Sequence, residues 1–131
     1  MNRLFEKTGD FFRKVKWFFQ RVFRGYSDLD MIDFGDFICR KTLPLLKKWV
    51  AMERLGYPAE FETKEEWENA LKEITWALEE TAYNKEESLI FDRWERKEID
   101  TETFHKLMSE NWERTDKGMQ LFGKYLGAMW I

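Results

Sequence analysis

The chain has 131 residues, 36% of them charged and 44% hydrophobic, with a formal net charge of −3 and a single cysteine. That length can bury a core without metals or disulfides, and one cysteine excludes an internal disulfide framework. No run of about 18 apolar residues is present to span a membrane, and the N-terminus lacks the apolar core and small-residue cleavage site of a signal peptide, so the expectation is one cytoplasmic domain, residues 1–131.

The first segment, residues 1–24, is basic and aromatic. Seven Lys/Arg (Arg3, Lys7, Arg13, Lys14, Lys16, Arg21, Arg24) face two acids (Glu6, Asp10), a net +5, which leaves −8 for residues 25–131. Phe11, Val15, Phe18 and Val22 form one helical stripe, and Phe12, Phe19 and Phe23 form the next. The pattern predicts an amphipathic helix with a wide apolar face, stopped by Gly25.

An acidic helical body, residues 27–131, follows. Ser27-Asp28-Leu29-Asp30 reads as a helix start. Met31, Phe34, Ile38, Leu45, Leu46, Trp49, Val50 and Met52 keep helical spacing to about Leu55, with a kink or break expected at Pro44. Gly56-Tyr57-Pro58 is a stop and a turn. Thr63-Lys64-Glu65-Glu66 is a capping box, in which Thr63 and Glu66 bond each other's backbone donors. Trp67, Ala70, Leu71, Ile74, Leu78 and Thr81 then form a stripe that closes near Tyr83-Asn84. Residues 86–97 suggest a short helix. The last helix opens at Asp100 or Thr101 and carries Phe104, Leu107, Met108, Trp112, Met119, Phe122, Tyr125, Leu126 and Met129. Gly118, Gly123 and Gly127 weaken it locally and allow close packing on another helix. The expected fold is all-α, a compact bundle of about five helices.

The catalytic inventory is poor. One histidine, His105, and one cysteine, Cys39, sit on different expected helices, and zinc lacks ligands. Asp30, Asp33 and Asp36 recur every three residues behind Asp28. Glu65 and Glu68 are followed by Asp92 and Glu95, an acid-x-x-acid, spacer, acid-x-x-acid pattern. It resembles the Mg²⁺ site of all-helical nucleotide pyrophosphohydrolases of the MazG type, which implies an alternative reading as a Mg²⁺-dependent enzyme. Such charge patterns more commonly mark a solvated helix face. The basic arm offers phosphate contacts, but a pI of 5.4 argues against nucleic acid. It also offers a membrane-surface helix through residues 1–24, while the more ordinary reading is a helix whose Phe and Trp pack on the acidic body and whose Lys and Arg face water. No glycine-rich phosphate loop is present.

Three stretches taken together resemble a family of small uncharacterised proteins of tailed bacteriophages. They are Arg24-Gly25-Tyr26-Ser27-Asp28-Leu29-Asp30, then Gly56-Tyr57-Pro58 leading to Glu66-Trp67, and Gly118 through Trp130 with Leu121-Phe122-Gly123-Lys124-Tyr125. Two stretches depart from the pattern: Met31-Ile32-Asp33 stands where a tryptophan is common, and Gly127-Ala128 replaces larger residues. The resemblance implies an accessory protein in the bacterial host cytoplasm and supplies no activity; with the small size, the aromatic surplus and the poor catalytic inventory it suggests a binder rather than an enzyme, with no cofactor. It would antagonise a host process such as anti-phage defence, by blocking a host protein or sequestering a nucleotide signal. The motifs nominate Arg24, Tyr26, Asp28, Asp30, Trp67 and Lys124 as ligand-binding residues. A structural or membrane-associated phage component is the remaining alternative. The apolar surplus on the arm and the glycine-spaced last helix suggest a homo-oligomer.

Overall fold

The structure, a computed structural model, describes residues 2–54 and 56–129, with side chains from residue 6 onward. Leu55 and Trp130, and the side chains of Arg3, Leu4 and Phe5, lie outside what is described. The all-α expectation holds. Among the described residues six helices appear in chain order: α1 (Asn2–Arg24), α2 (Asp28–Ile32), α3 (Phe34–Ala51), α4 (Lys64–Tyr83), α5 (Lys85–Glu95) and α6 (Thr101–Tyr125). A 3₁₀ turn, Leu126–Ala128, follows, and no strand occurs among the described residues.

The chain divides into two units, Met1–Phe37 and Ile38–Ile131. In the first, ion pairs bind α2 to the end of α1.

In the first unit, α1 stops where Gly25 adopts φ +81° and its N–H reaches the Arg21 carbonyl at 3.0 Å. A side chain would be strained in that left-handed conformation. Ser27 then caps α2. Its hydroxyl accepts from the Asp30 N–H at 3.3 Å, and the Asp30 carboxylate accepts from the Ser27 N–H at 2.7 Å. The break expected at Pro44 falls instead at Asp33, whose carboxylate accepts from the Asp36 N–H at 3.1 Å and so opens α3. α3 continues through Pro44. That proline is exposed, so water can serve the carbonyl that loses its donor.

The second unit is built on α4. Its predicted stripe of Trp67, Ala70, Leu71, Ile74 and Leu78 is buried, together with Cys39, Leu43 and Leu46 of α3 and Tyr125 of α6. Each large apolar side chain removed from water there contributes about 1.5–3 kcal/mol. The start of α4 differs from expectation in one bond. Thr63 accepts from the Glu66 N–H at 3.2 Å, but the Glu66 carboxylate accepts from Glu62 N–H, at 2.9 Å, rather than from Thr63.

Asn84 ends α4 in the left-handed conformation, φ 49°, and its side chain does not cap α5. Glu80 does so from within α4. Its carboxylate accepts from the N–H groups of Glu86 and Glu87 at 3.0 and 2.9 Å, and from the Asn111 side-chain amide at 3.2 Å. Asp100 caps α6 through the Thr103 N–H at 2.7 Å. α6 packs antiparallel on α4, with Trp67 beside Tyr125 and Glu80 beside Asn111. Between those points Gly118 touches α4 so closely that an added Cβ would lie 2.4 Å from Ala77 Cβ and 2.6 Å from the Glu73 carbonyl oxygen. Gly123 and Gly127 face open space, so the close packing expected of all three glycines belongs to Gly118.

Beyond α3, the buried Arg54 guanidinium donates through Nη1 to the carbonyls of Trp49 and Met52, each at 3.1 Å, and to Val50. Its Nη2 pairs with Glu68 of α4. One side chain thus serves the orphan carbonyls of a helix end and fastens that end to the next helix.

Candidate functional site

Four of the six ligand candidates, Arg24, Tyr26, Asp28 and Asp30, meet at the corner between α1 and α2, where each is engaged by neighbours of the same corner. The Arg24 guanidinium sits 4.6 Å from the Tyr26 ring centroid, donates to the Tyr26 carbonyl at 3.1 Å and pairs with Asp28. Gln20 clasps Asp28 twice, donating to its carboxylate at 2.8 Å and accepting from its N–H at 2.9 Å. Lys16 adds a weaker ion pair to Asp28 at 3.4 Å. Arg21 grips Asp30 with two bonds, at 3.1 and 2.9 Å. The Arg-Gly-Tyr-Ser-Asp-Leu-Asp motif is thereby accounted for as a helix corner. Gln20 and Arg21, which sequence reading did not single out, complete it.

The electrostatics follow from these bonds. Gln20 first, and then Arg24, hold the Asp28 carboxyl down to about 2. Arg21, seconded by Ser27, holds Asp30 well below the usual carboxylate range. A carboxyl depressed in the folded state lends stability above its unfolded pKa of about 4, and that stability fades as the pH falls through the folded value. The Asp28 pairs should therefore hold at pH 4 and come apart as the pH falls through about 2, with the Arg21–Asp30 pair holding to lower pH still. Carboxyl-carbon NMR titration of the full chain should place both aspartates below the other surface acids. Midpoints near 4 for both would mean that the pairs do not form in solution.

Beside this corner lies a cleft of about 400 Å³ lined by Tyr26, Asp30, Met31, Phe34 and Phe37. Met31 and Phe34 are 64% and 65% exposed at its rim. Asp30 brings the one charge of the lining, and its carboxylate is already engaged and only 13% exposed. The cleft thus suits an apolar or aromatic group, with Met31 free to adapt to its shape. Among the described residues, none of the lining is a cation for a phosphate.

Searches against family models, curated proteins and solved structures find no match.

The other two candidates lie in the second unit. Trp67 is 2% exposed, wedged between Phe61 and Tyr125 at centroid distances of 5.3 and 5.5 Å. It is a core residue with no face to give a ligand. Lys124 pairs with Glu60 at 2.9 Å, and the Tyr125 hydroxyl donates to the same carboxylate at 2.6 Å. Tyr125 and Lys124 together hold the Glu60 carboxyl below its ordinary value. The two therefore build the α6 end onto the loop before α4, where a nucleotide site would have needed both of them open.

The acids nominated for Mg²⁺ are dispersed. Glu65 lies in the first turn of α4, Glu68 pairs with Arg54, and Asp92 and Glu95 lie on α5. Among the described residues no three Asp, Glu, His or Cys side chains gather to hold a metal. Cys39 is buried in the core, and His105 is exposed on α6, 5.5 Å from the Phe104 ring.

A shallower groove that sequence reading missed runs between α3 and α4. Lys47, Val50, Lys72, Thr75, Trp76 and Glu79 enclose about 290 Å³. The Arg114 guanidinium lies 3.9 Å from the Trp76 ring centroid, held there by two 3.0 Å bonds to Glu73. Lys85 and Lys47 both bind Glu79 and lower its carboxyl pKa. Spacing within α4 alone could not reveal this groove, because Lys47 and Val50 come from another helix.

Proposed function

We propose that this chain is a phage-type accessory protein, a non-catalytic binder that blocks a host protein of anti-phage defence. One observation carries the reading: the apolar cleft of Tyr26, Met31, Phe34 and Phe37 is built directly on the Arg24–Asp30 motif. Exposed aromatic and methionine side chains around a concave site are what a protein partner's anchor residue requires. The lack of a cation in the lining favours a protein over a phosphate-bearing ligand. A bacterial cytoplasmic setting belongs to the same proposal, on the strength of the motif resemblance.

Expression in bacteria that carry a defence system should raise the plating efficiency of a sensitive phage about a hundredfold. Phe34→Asp should abolish the rise while leaving helicity unchanged, because Phe34 is exposed. No rise across a broad set of defence systems would overturn the proposal.

A second reading, sequestration of a nucleotide signal, is favoured by the groove of Lys47, Lys72 and Trp76, where a base could stack and lysines could meet phosphates. Under it, Lys72→Glu would abolish the rise and Phe34→Asp would not. Calorimetry would then detect binding of a nucleotide signal that Lys72→Glu removes.

A further inference from the structure

The long basic helix α1 has a polar arrangement that its aromatic content alone does not dictate. At about 100° per residue, Phe11, Phe12, Phe18, Phe19, Val22 and Phe23 share an arc of about 140°. These six side chains are 52–82% exposed, and nothing in their own unit covers them. Phe18 and Phe19 meet edge to face at 5.7 Å and Phe19 and Phe23 stack at 6.3 Å, and a turn and more before them Phe11 and Phe12 meet edge to face at 6.0 Å, so the arc carries two aromatic patches.

The charges are ordered around that arc. On the helical wheel Lys7 and Lys14 border one edge and Lys16 borders the other. The two acids, Glu6 and Asp10, fall near the pole opposite the aromatic surface. Lys7 and Lys14 have no carboxylate partner among the described residues, whereas Arg13 pairs with Asp10 on the polar side.

We propose that α1 lies in the interface of an anionic lipid bilayer, with its aromatic arc in the headgroup–acyl boundary and its edge lysines on the lipid phosphates. Long lysine stems reach from an apolar surface to a charged layer above it, which is where edge positions put them. The far-side acids stay away from the anionic surface. A second copy of the helix laid face to face would bring lysine-bordered edges together. A nucleic acid would engage the polar arc and leave the aromatics in water. The inference is independent of the cleft, which lies outside α1.

The test uses the full chain and vesicles of phosphatidylcholine, with or without an equal part of phosphatidylglycerol. Sedimentation should be strong with the anionic vesicles, weak with the neutral ones and reduced at high salt. Replacing Lys7→Glu and Lys14→Glu together should weaken partitioning by roughly tenfold or more. Phe18→Asp should do the same, with circular dichroism confirming that helicity is retained. No sedimentation with anionic vesicles, or equal binding by the charge-reversed chain, overturns the proposal. A dimer mass in light scattering that Phe18→Asp abolishes, without lipid binding, assigns the face to a second copy instead.

Discussion

Replacing Glu80 with alanine is expected to destabilise the second unit by about 3 kcal/mol, measured by urea denaturation. The side chain is 5% exposed and accepts from three donors, two of which are backbone amides in the first turn of α5. Truncation leaves all three donors, one of them buried and two part-buried, without this acceptor, and Asn84 does not cap that helix. Glu80→Gln keeps one oxygen and should lose about half as much. Asn111→Ala removes a single donor and should cost about 1 kcal/mol. A double-mutant cycle between 80 and 111 should show coupling, since the two groups share one bond. A loss below about 1 kcal/mol for Glu80→Ala would mean that water reaches the start of α5 and serves it as well.

The second large effect is Gly118→Ala, with an expected loss of about 3 kcal/mol. Helix propensity alone points the other way, since alanine is favoured over glycine by about 1 kcal/mol in a helix interior. Steric overlap reverses the sign. The new Cβ would fall 2.4 Å from Ala77 Cβ and 2.6 Å from the Glu73 carbonyl oxygen, and neither belongs to a flexible side-chain end. The helices must move apart, which loosens the Arg114–Glu73 pair and the Trp67–Tyr125 contact on the same interface. Gly123→Ala is the control. Its Cβ would meet nothing within 4 Å, so it should be neutral or stabilise slightly. Equal effects at 118 and 123 would refute the close approach.

Much of the fold is legible because it is written locally. The 67-70-71-74-78 stripe, the Ser27, Thr63 and Asp100 caps and the Gly25 stop each depend on residues within a few positions, and the helices form where those signals lie. Pro44 misleads because a proline reads as a break whatever its surroundings, whereas its position on an exposed face lets α3 continue. Asp33 breaks the helix instead through a side-chain bond that competes with backbone pairing, and nothing in its spacing separates it from Asp30 or Asp36.

The site is less legible for the same reason. A motif records which side chains are present but not which of them already satisfy each other. Arg24, Asp28 and Asp30 look like ligand groups until Gln20 and Arg21 are seen to occupy them. Trp67 follows a capping box and reads equally as an anchor for a base or as core, and its 2% exposure decides for core. Glu80, a charge on an otherwise apolar flank, could be recognised as buried only once α5 and Asn111 were seen to converge on it.

Arg54 carries a consequence for finding kindred sequences. Its guanidinium spans three carbonyls of one helix end and a carboxylate of the next helix at once. Lysine, a single point charge, cannot reproduce that fork. Chains that share this fold should therefore keep an arginine just past the third helix and a glutamate in the second turn of the fourth, and should exchange them only together. That linked pair would mark distant members whose surface motifs have drifted beyond recognition.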